Sequence, residues 1–219
     1  MPFIDRVDAG RQLARALAPL KNEHPVVLAL PRGGVPVAAE IAAALAAPLD
    51  LVLVRKIGVP FEPELAMAAV VDGPEPIVVR NDDVIAMLAI SEEEFARARD
   101  SELAEIERRR KRYLGDRPHP DLVGRTVIIV DDGIATGATV RAALQATRQR
   151  NPARLVLAVP VAPPQVLEAL RGEVDEIVCL EAPEPFGAIG FFYGDFRQVS
   201  DDEVIELLAR HPAVSPAGG

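Results

Sequence analysis

The chain predicts an α/β fold: a parallel, doubly wound sheet flanked by helices, with a hairpin and long-helix excursion and a small C-terminal hood. Two observations carry the core of that reading. Short apolar runs recur at VVLAL from Val26, LVLV from Leu51, VIIV from Val127, RLVLAVPV from Arg154 and EIVCL from Glu176, and none alternates polar with apolar residues. Runs of this kind suit strands covered on both faces. Helical patterns separate them, over Ala9 to Leu20, Val35 to Leu45, Thr139 to Gln149 and Pro164 to Leu170. Such alternation implies βαβ units with right-handed crossovers.

The regularity breaks between Gly58 and Gly124. Ala68 to Val71 and Ile77 to Val79 flank Asp72-Gly73-Pro74, which reads as a hairpin or sharp turn. A long polar helix begins at Ser91, where Ser91 and Glu94 are spaced as a capping box and Ile90 and Phe95 as a hydrophobic staple. Glu92 to Glu94 at its start and the run Arg108 to Arg112 (RRRKR) at its end follow the helix dipole. The basic run therefore reads first as a solvated helix end, and second as a phosphate or RNA patch. A Pro/Gly cluster from Gly115 to Pro120 closes the excursion. Ser200 and Glu203 form a second capping box, His211-Pro212 stops that helix, and the final SPAGG reads as disordered. The expected organisation is one domain over residues 1–219, with the hairpin and long helix inserted at about 59–120.

Composition narrows the function classes. With 219 residues, 49% of them hydrophobic, the chain can bury a full core. A net charge of -9 and a pI of about 4.9 repel nucleic acid and anionic membranes, so no nucleic-acid or membrane partner is expected. The single cysteine, Cys179, cannot form an internal disulfide, and no Cys/His cluster has zinc spacing. Charged residues at Asp5, Arg6 and Asp8 interrupt what a signal peptide would need, and no uncharged apolar run approaches the roughly 18 residues of a membrane span. The expectation is a cytoplasmic protein.

The chemistry concentrates in VIIVDDGIATGATVRAAL, Val127 to Leu144. A buried strand delivers Asp131 and Asp132 to its carboxyl end, the edge at which open α/β sheets bind ligands. The segment Ala135-Thr136-Gly137-Ala138-Thr139 then lets backbone N–H groups and two hydroxyls converge on an anion at a helix start. The carboxylates would repel a phosphate they faced, so they are better suited to accept hydrogen bonds from neutral hydroxyls beside it. Two adjacent acceptors match the 2- and 3-hydroxyls of a ribose. The inferred ligand is a ribose 5-phosphate moiety.

A second loop, Leu30-Pro31-Arg32-Gly33-Gly34, follows the first strand, and its glycines let backbone N–H groups approach an anion whose charge Arg32 offsets. Arg55 and Lys56 follow the second apolar run.

The run VIIVDDGIATGAT resembles the 5-phosphoribosyl 1-pyrophosphate (PRPP) signature of the type I phosphoribosyltransferases. The resemblance implies that Asp131 and Asp132 take the ribose hydroxyls and Ala135 to Thr139 the 5-phosphate. It further implies that Arg32, Gly33 and Gly34 hold the pyrophosphate in a loop that often contains a strained or cis peptide. Lys56 is similar to the family's basic pyrophosphate ligand, with Arg55 as its companion. Glu62 and Glu64 fall where family members carry a mobile loop. They would meet a cationic substrate, bind metal through water, or simply be surface carboxylates. FIDRVDAGRQLARAL, LPRGGVPVA, RKIG, ELAEIERRR and FFYGDFRQVSDDEV together resemble a subgroup of bacterial phosphoribosyltransferases over nearly the whole chain.

The activity implied is transfer of ribose 5-phosphate from PRPP to a nitrogen acceptor, a nucleobase or similar heterocycle, with release of pyrophosphate. Asp131, Asp132, Lys56 and Arg32 are the expected catalytic residues, and Mg²⁺ is the expected cofactor, held through substrate and water rather than by direct protein ligands. Phe186, Phe191, Phe192 and Tyr193 either stack on the base or pack the C-terminal helix. Two other classes stay open: a PRPP- or nucleotide-sensing regulator, and a partner-binding protein with a vestigial site. A homo-oligomer fits any of them.

Overall fold

The computed structural model describes residues 2–73 and 75–211, apart from the side chains of Pro63 and Glu64. Pro74 of the expected turn, the Glu64 side chain, Pro212 of the expected helix stop and the SPAGG tail lie outside the described residues.

The core is a parallel sheet of strands β1 (Val26–Ala29), β2 (Leu49–Leu51), β6 (Thr126–Val130), β7 (Arg154–Val161) and β8 (Glu176–Glu181), in the order β2-β1-β6-β7-β8. Leu28 pairs with Asp50 on one side and Ile129 on the other. Alternate residues feed two cores. Val27, Ala29, Ile128, Val130 and Val156 join Leu13, Ile41 and Leu208 from helices α1 (Arg6–Ala16), α2 (Gly34–Leu45) and α7 (Asp201–Ala209). Val26, Leu28, Val127 and Ile129 face the opposite way, onto Leu144 and Leu170 of helices α5 (Ala138–Arg148) and α6 (Pro164–Leu170). Burial on both faces is why these strands read as unbroken apolar runs. EIVCL departs from that expectation: as the edge strand it is only half-buried.

The second apolar run divides. Its Leu51 ends β2, Val52 donates to the Ala29 carbonyl, and the chain then leaves the parallel sheet. Asp72 takes it over, accepting from the Leu53 N–H through its side chain (2.8 Å) and donating its own N–H to the Leu53 carbonyl (3.0 Å). Val54 therefore opens a separate antiparallel sheet of β3 (Val54–Val59), β4 (Glu62–Val71) and β5 (Ile77–Arg80), in that order. The expected short hairpin is longer, and its extra strand carries Arg55 and Lys56.

This small sheet lies between two helices. Ile57, Met67 and Val70 pack on Phe95 and Ile106 of helix α4 (Glu92–Leu114) and on Ile85 of α3 (Asp82–Met87). Val54, Ala69 and Val79 face the core that includes α5. The Ser91–Glu94 capping box forms, with both reciprocal hydrogen bonds, and the staple residues Ile90 and Phe95 share one cluster. The second box forms only by half. Ser200 accepts from the Glu203 N–H (3.2 Å), but both Glu203 oxygens turn to Arg197 at 2.8 Å, a charged partner that outcompetes the backbone donor.

Candidate active site

Strand β6 ends at Val130 and presents Asp131 and Asp132 at the carboxyl edge of the sheet. The Asp132 N–H donates to Asp131 Oδ1 at 2.8 Å, which fixes the Asp131 side chain beside its neighbour. Asp131 keeps partial contact with solvent, yet burial raises its pKa well above the usual carboxylate range, and the Asp132 charge adds to the rise.

Asp132 has a partner that the sequence reading passed over. Arg6, from the start of α1, donates through Nε to Asp132 Oδ2 at 2.7 Å, with both side chains close to nine-tenths buried. The guanidinium is fixed on its other sides by the Arg197 carbonyl (2.8 Å) and by the Phe196 ring, 4.0 Å from its centroid. The two acids are therefore not equivalent acceptors: one Asp132 oxygen is committed to Arg6. No local signal marks this pair, because 126 positions separate the residues.

The loop Ala135 to Thr139 follows, leading into α5. Ala135, Thr136, Ala138 and Thr139 are exposed, and α5 begins at Ala138, so its first-turn N–H groups have no intrahelical acceptor. Gly137 has φ +79°, and a Cβ there would lie 2.8 Å from Val166, which is why glycine holds the position.

The glycine loop meets the acidic pair. A cis peptide joins Pro31 to Arg32, as the resemblance implies for this loop. A Cβ on Gly33 would sit 2.0 Å from Asp132 Oδ2, and one on Gly34 2.7 Å from the Val130 carbonyl. These close approaches bring the two loops into one site.

The remaining expected residues divide. Lys56 lies within β3 rather than in a loop, and with Ala138 and Thr139 it lines a cavity of about 540 Å³ between the small sheet and α5. Arg32 points elsewhere, its Nη1 3.6 Å from Asp201 at the start of α7. Glu62 stands in β4, directly after the Pro60-Phe61 tip of the β3–β4 hairpin, whose Phe61 is 67% exposed.

The C-terminal segment covers the strand ends, with Ile189 against Gly133. Phe191 is 72% exposed, while Phe186 and Phe192 are half-buried and paired at 5.4 Å. Of the two readings, stacking or packing, Tyr193 takes the packing one. It is enclosed between Phe3 and Phe196, and its hydroxyl donates to the Asp132 carbonyl at 2.6 Å. Burial and the neighbouring Asp132 raise its pKa, so the phenol stays a donor.

The basic run of α4 is partly exposed, with Arg108 61% exposed and Arg112 50%. Arg108 and Arg109 bind Glu105, but Arg108, Arg109 and Arg112 also border a cavity shared with Arg32. Among the described residues, no cluster of three or more His, Cys, Asp or Glu is placed to hold a metal ion, and no helix is long and apolar enough to cross a membrane.

Comparison with known proteins matches this geometry to a family. The model of the phosphoribosyl transferase domain matches residues 5–192. Two Mycobacterium tuberculosis proteins, from strains CDC 1551 and H37Rv, each bearing the name "Putative phosphoribosyl transferase", are 48% identical over 217 residues, which is 99% of this chain. The chain spans about half the length of these curated relatives, 48% of each. The crystal structure of TT1426 from Thermus thermophilus superposes with a TM-score of 0.85 at 43% identity, over 97% of this chain and 100% of that one. With the acidic pair, the loop Ala135 to Thr139 and the glycine loop on one sheet edge, the chain belongs to the phosphoribosyl transferase domain family.

Proposed function

We propose that the chain binds PRPP with Mg²⁺ and transfers its ribose 5-phosphate to a nitrogen heterocycle, releasing pyrophosphate. The observation that carries this reading is the contact between the two loops, Gly33 against the Asp132 carboxylate. It supports one ligand running from a phosphate on Ala135 to Thr139, past hydroxyls on the acidic pair, to a diphosphate on the backbone of Gly33 and Gly34.

In this reading the acceptor nitrogen forms a bond to C1 of the ribose as the bond from C1 to the diphosphate oxygen breaks, and the diphosphate leaves with the electron pair. Asp131 and Asp132 orient the ribose through its hydroxyls. Thr136, Thr139 and the α5 N-terminus hold the 5-phosphate. Lys56, across the cavity from Thr139, supplies positive charge beside the phosphates. Phe186, Phe191 and Phe192 lie on the covering segment, and the exposed Phe191 is the ring best placed to meet a planar acceptor.

The residues present fit Mg²⁺. Two adjacent carboxylates, one resisting ionisation, gain from a nearby cation, and Mg²⁺ characteristically uses one or two carboxylates with substrate phosphates and water. Asp131 would contact it, directly or through water, since Asp132 is engaged by Arg6. When bound, the ion would neutralise the departing diphosphate.

The test is calorimetric titration with PRPP and Mg²⁺, followed by pyrophosphate release against purines, pyrimidines and other nitrogen heterocycles. Binding with acceptor-dependent release is the expected result. Binding without release would make the chain a PRPP sensor, and absence of binding would overturn the reading.

A further inference from the structure

Three arginines at the end of α4 border a concavity as well as solvent. Arg108, Arg109 and Arg112, with Pro31 and Arg32 of the glycine loop and Asp201 of α7, border a cavity of about 250 Å³. Arg108 and Arg112 are one helical turn apart and share a face. Tyr113 anchors that face by donating its hydroxyl to Asp201 at 2.6 Å, which ties the end of α4 to the start of α7.

The charges do not cancel. Asp201 serves Tyr113, Arg112 at 3.0 Å and Arg32 at 3.6 Å at once. Glu105 serves both Arg108 and Arg109, each at 2.8 Å. Four guanidinium groups therefore share two carboxylates, in a chain whose net charge is -9. Rigid elements hold these arginines around a concavity, where an anion would meet several guanidinium groups at once. Arg108 spends Nε and Nη2 on Glu105, but its remaining donors and those of Arg32, Arg109 and Arg112 border one small cavity, and several guanidinium groups around such a space favour a chain of phosphates over a single carboxylate.

We propose that this cavity is an oligophosphate-binding site distinct from the ribose loop, built by Arg32, Arg108, Arg109 and Arg112. It borders Pro31 and Arg32, whereas the next residues, Gly33 and Gly34, are the ones against Asp132 and Val130. The oligophosphate has two sources: pyrophosphate moving out past the glycine loop, or the phosphate chain of a separate nucleotide. The site does not require that the transfer reaction be correct.

The experiment is calorimetric titration of the intact chain with inorganic tripolyphosphate at low salt. It compares Arg108→Gln/Arg109→Gln with a charge-matched control, Arg97→Gln/Arg210→Gln, whose arginines are 70% exposed and lie away from the cavity. Circular dichroism verifies that each variant is folded. The expected result is one saturable site, weakened about tenfold or more by the first pair and little by the control. Repeating the titration with PRPP and Mg²⁺ already bound separates the sources: competition marks the leaving group's path, and simultaneous binding marks a separate nucleotide. Absence of saturable binding, or equal weakening in the control, overturns the proposal. Tripolyphosphate binding without any PRPP binding would leave this site standing while removing the proposed transfer.

Discussion

The Arg6 guanidinium donates to the Asp132 carboxylate at 2.7 Å, so the first helix of the chain is fastened to the acidic pair at the end of β6. The pair is buried, and the same guanidinium caps the Arg197 carbonyl. One contact thus joins the N-terminal helix, the central strand and the C-terminal segment at the candidate site.

Replacing Arg6 by Met strands a buried carboxylate. The expected loss is about 3–5 kcal/mol, measured as a lower urea midpoint at pH 7. Arg6→Lys retains the charge but not the fork that reaches both Asp132 and Arg197, and is expected to fall between the parent and Arg6→Met.

The two acids are expected to respond differently to amidation. Asp131→Asn relieves burial and repulsion while keeping an oxygen for the Asp132 N–H, so its stability at pH 7 equals or exceeds that of the parent. Asp132→Asn deprives Arg6 of its counter-charge and costs about 1–3 kcal/mol while leaving the chain folded. On the proposed function both lose PRPP turnover, on the order of 10²-fold. Denaturant unfolding and pyrophosphate release, measured on the same samples, separate the two effects. A folded Asp132→Asn variant with full turnover would remove its assigned role.

Gly137→Ala tests the anion loop. Its φ of +79° is unfavourable for a residue with a Cβ, and that atom would press on Val166. A loss of about 1–2 kcal/mol in unfolding free energy is expected and, on the proposed function, weaker PRPP binding. An unchanged midpoint would show that the loop relaxes freely.

Asp72 gives the stability a distinct pH dependence. Burial, only partly offset by the Leu53 hydrogen bond and His119, raises its pKa from 3.8 to about 6, with Asp50 adding to the rise and Arg150 opposing it. The folded state therefore binds the Asp72 proton more tightly than the unfolded chain does. Its contribution is fully present below about pH 4 and is lost as pH rises through about 6, by up to roughly 3 kcal/mol. Urea midpoints across pH 4–8 should show this component, and Asp72→Asn should abolish it. A parent and variant with parallel profiles would contradict the assignment.

What the linear sequence could and could not convey follows from the range of each interaction. Strand β6, the loop Ala135 to Thr139 and the Ser91–Glu94 box are legible because their causes lie within a few residues: apolar runs, small hydroxyl-bearing residues before a helix, and reciprocal caps. The glycine loop was legible as a turn, while its contact with Asp132 required β1 and β6 to pair.

Other features were decided by tertiary structure. LVLV could not reveal that the chain leaves the core sheet after Leu51, because the group that draws it away is Asp72, 19 positions from Leu53. Glu203 satisfied a local pattern, yet its carboxylate went to Arg197. For Tyr193 the sequence left stacking and packing open, and packing against Phe3 and Phe196 decided between them. By itself the sequence determined the α/β class and the acidic strand end with the small hydroxyl-bearing loop after it, since periodicity and loop chemistry act locally. Only the tertiary structure joined Arg6 to Asp132 and brought the α4 arginines to Arg32, because charge and packing act across whatever distance the fold has closed.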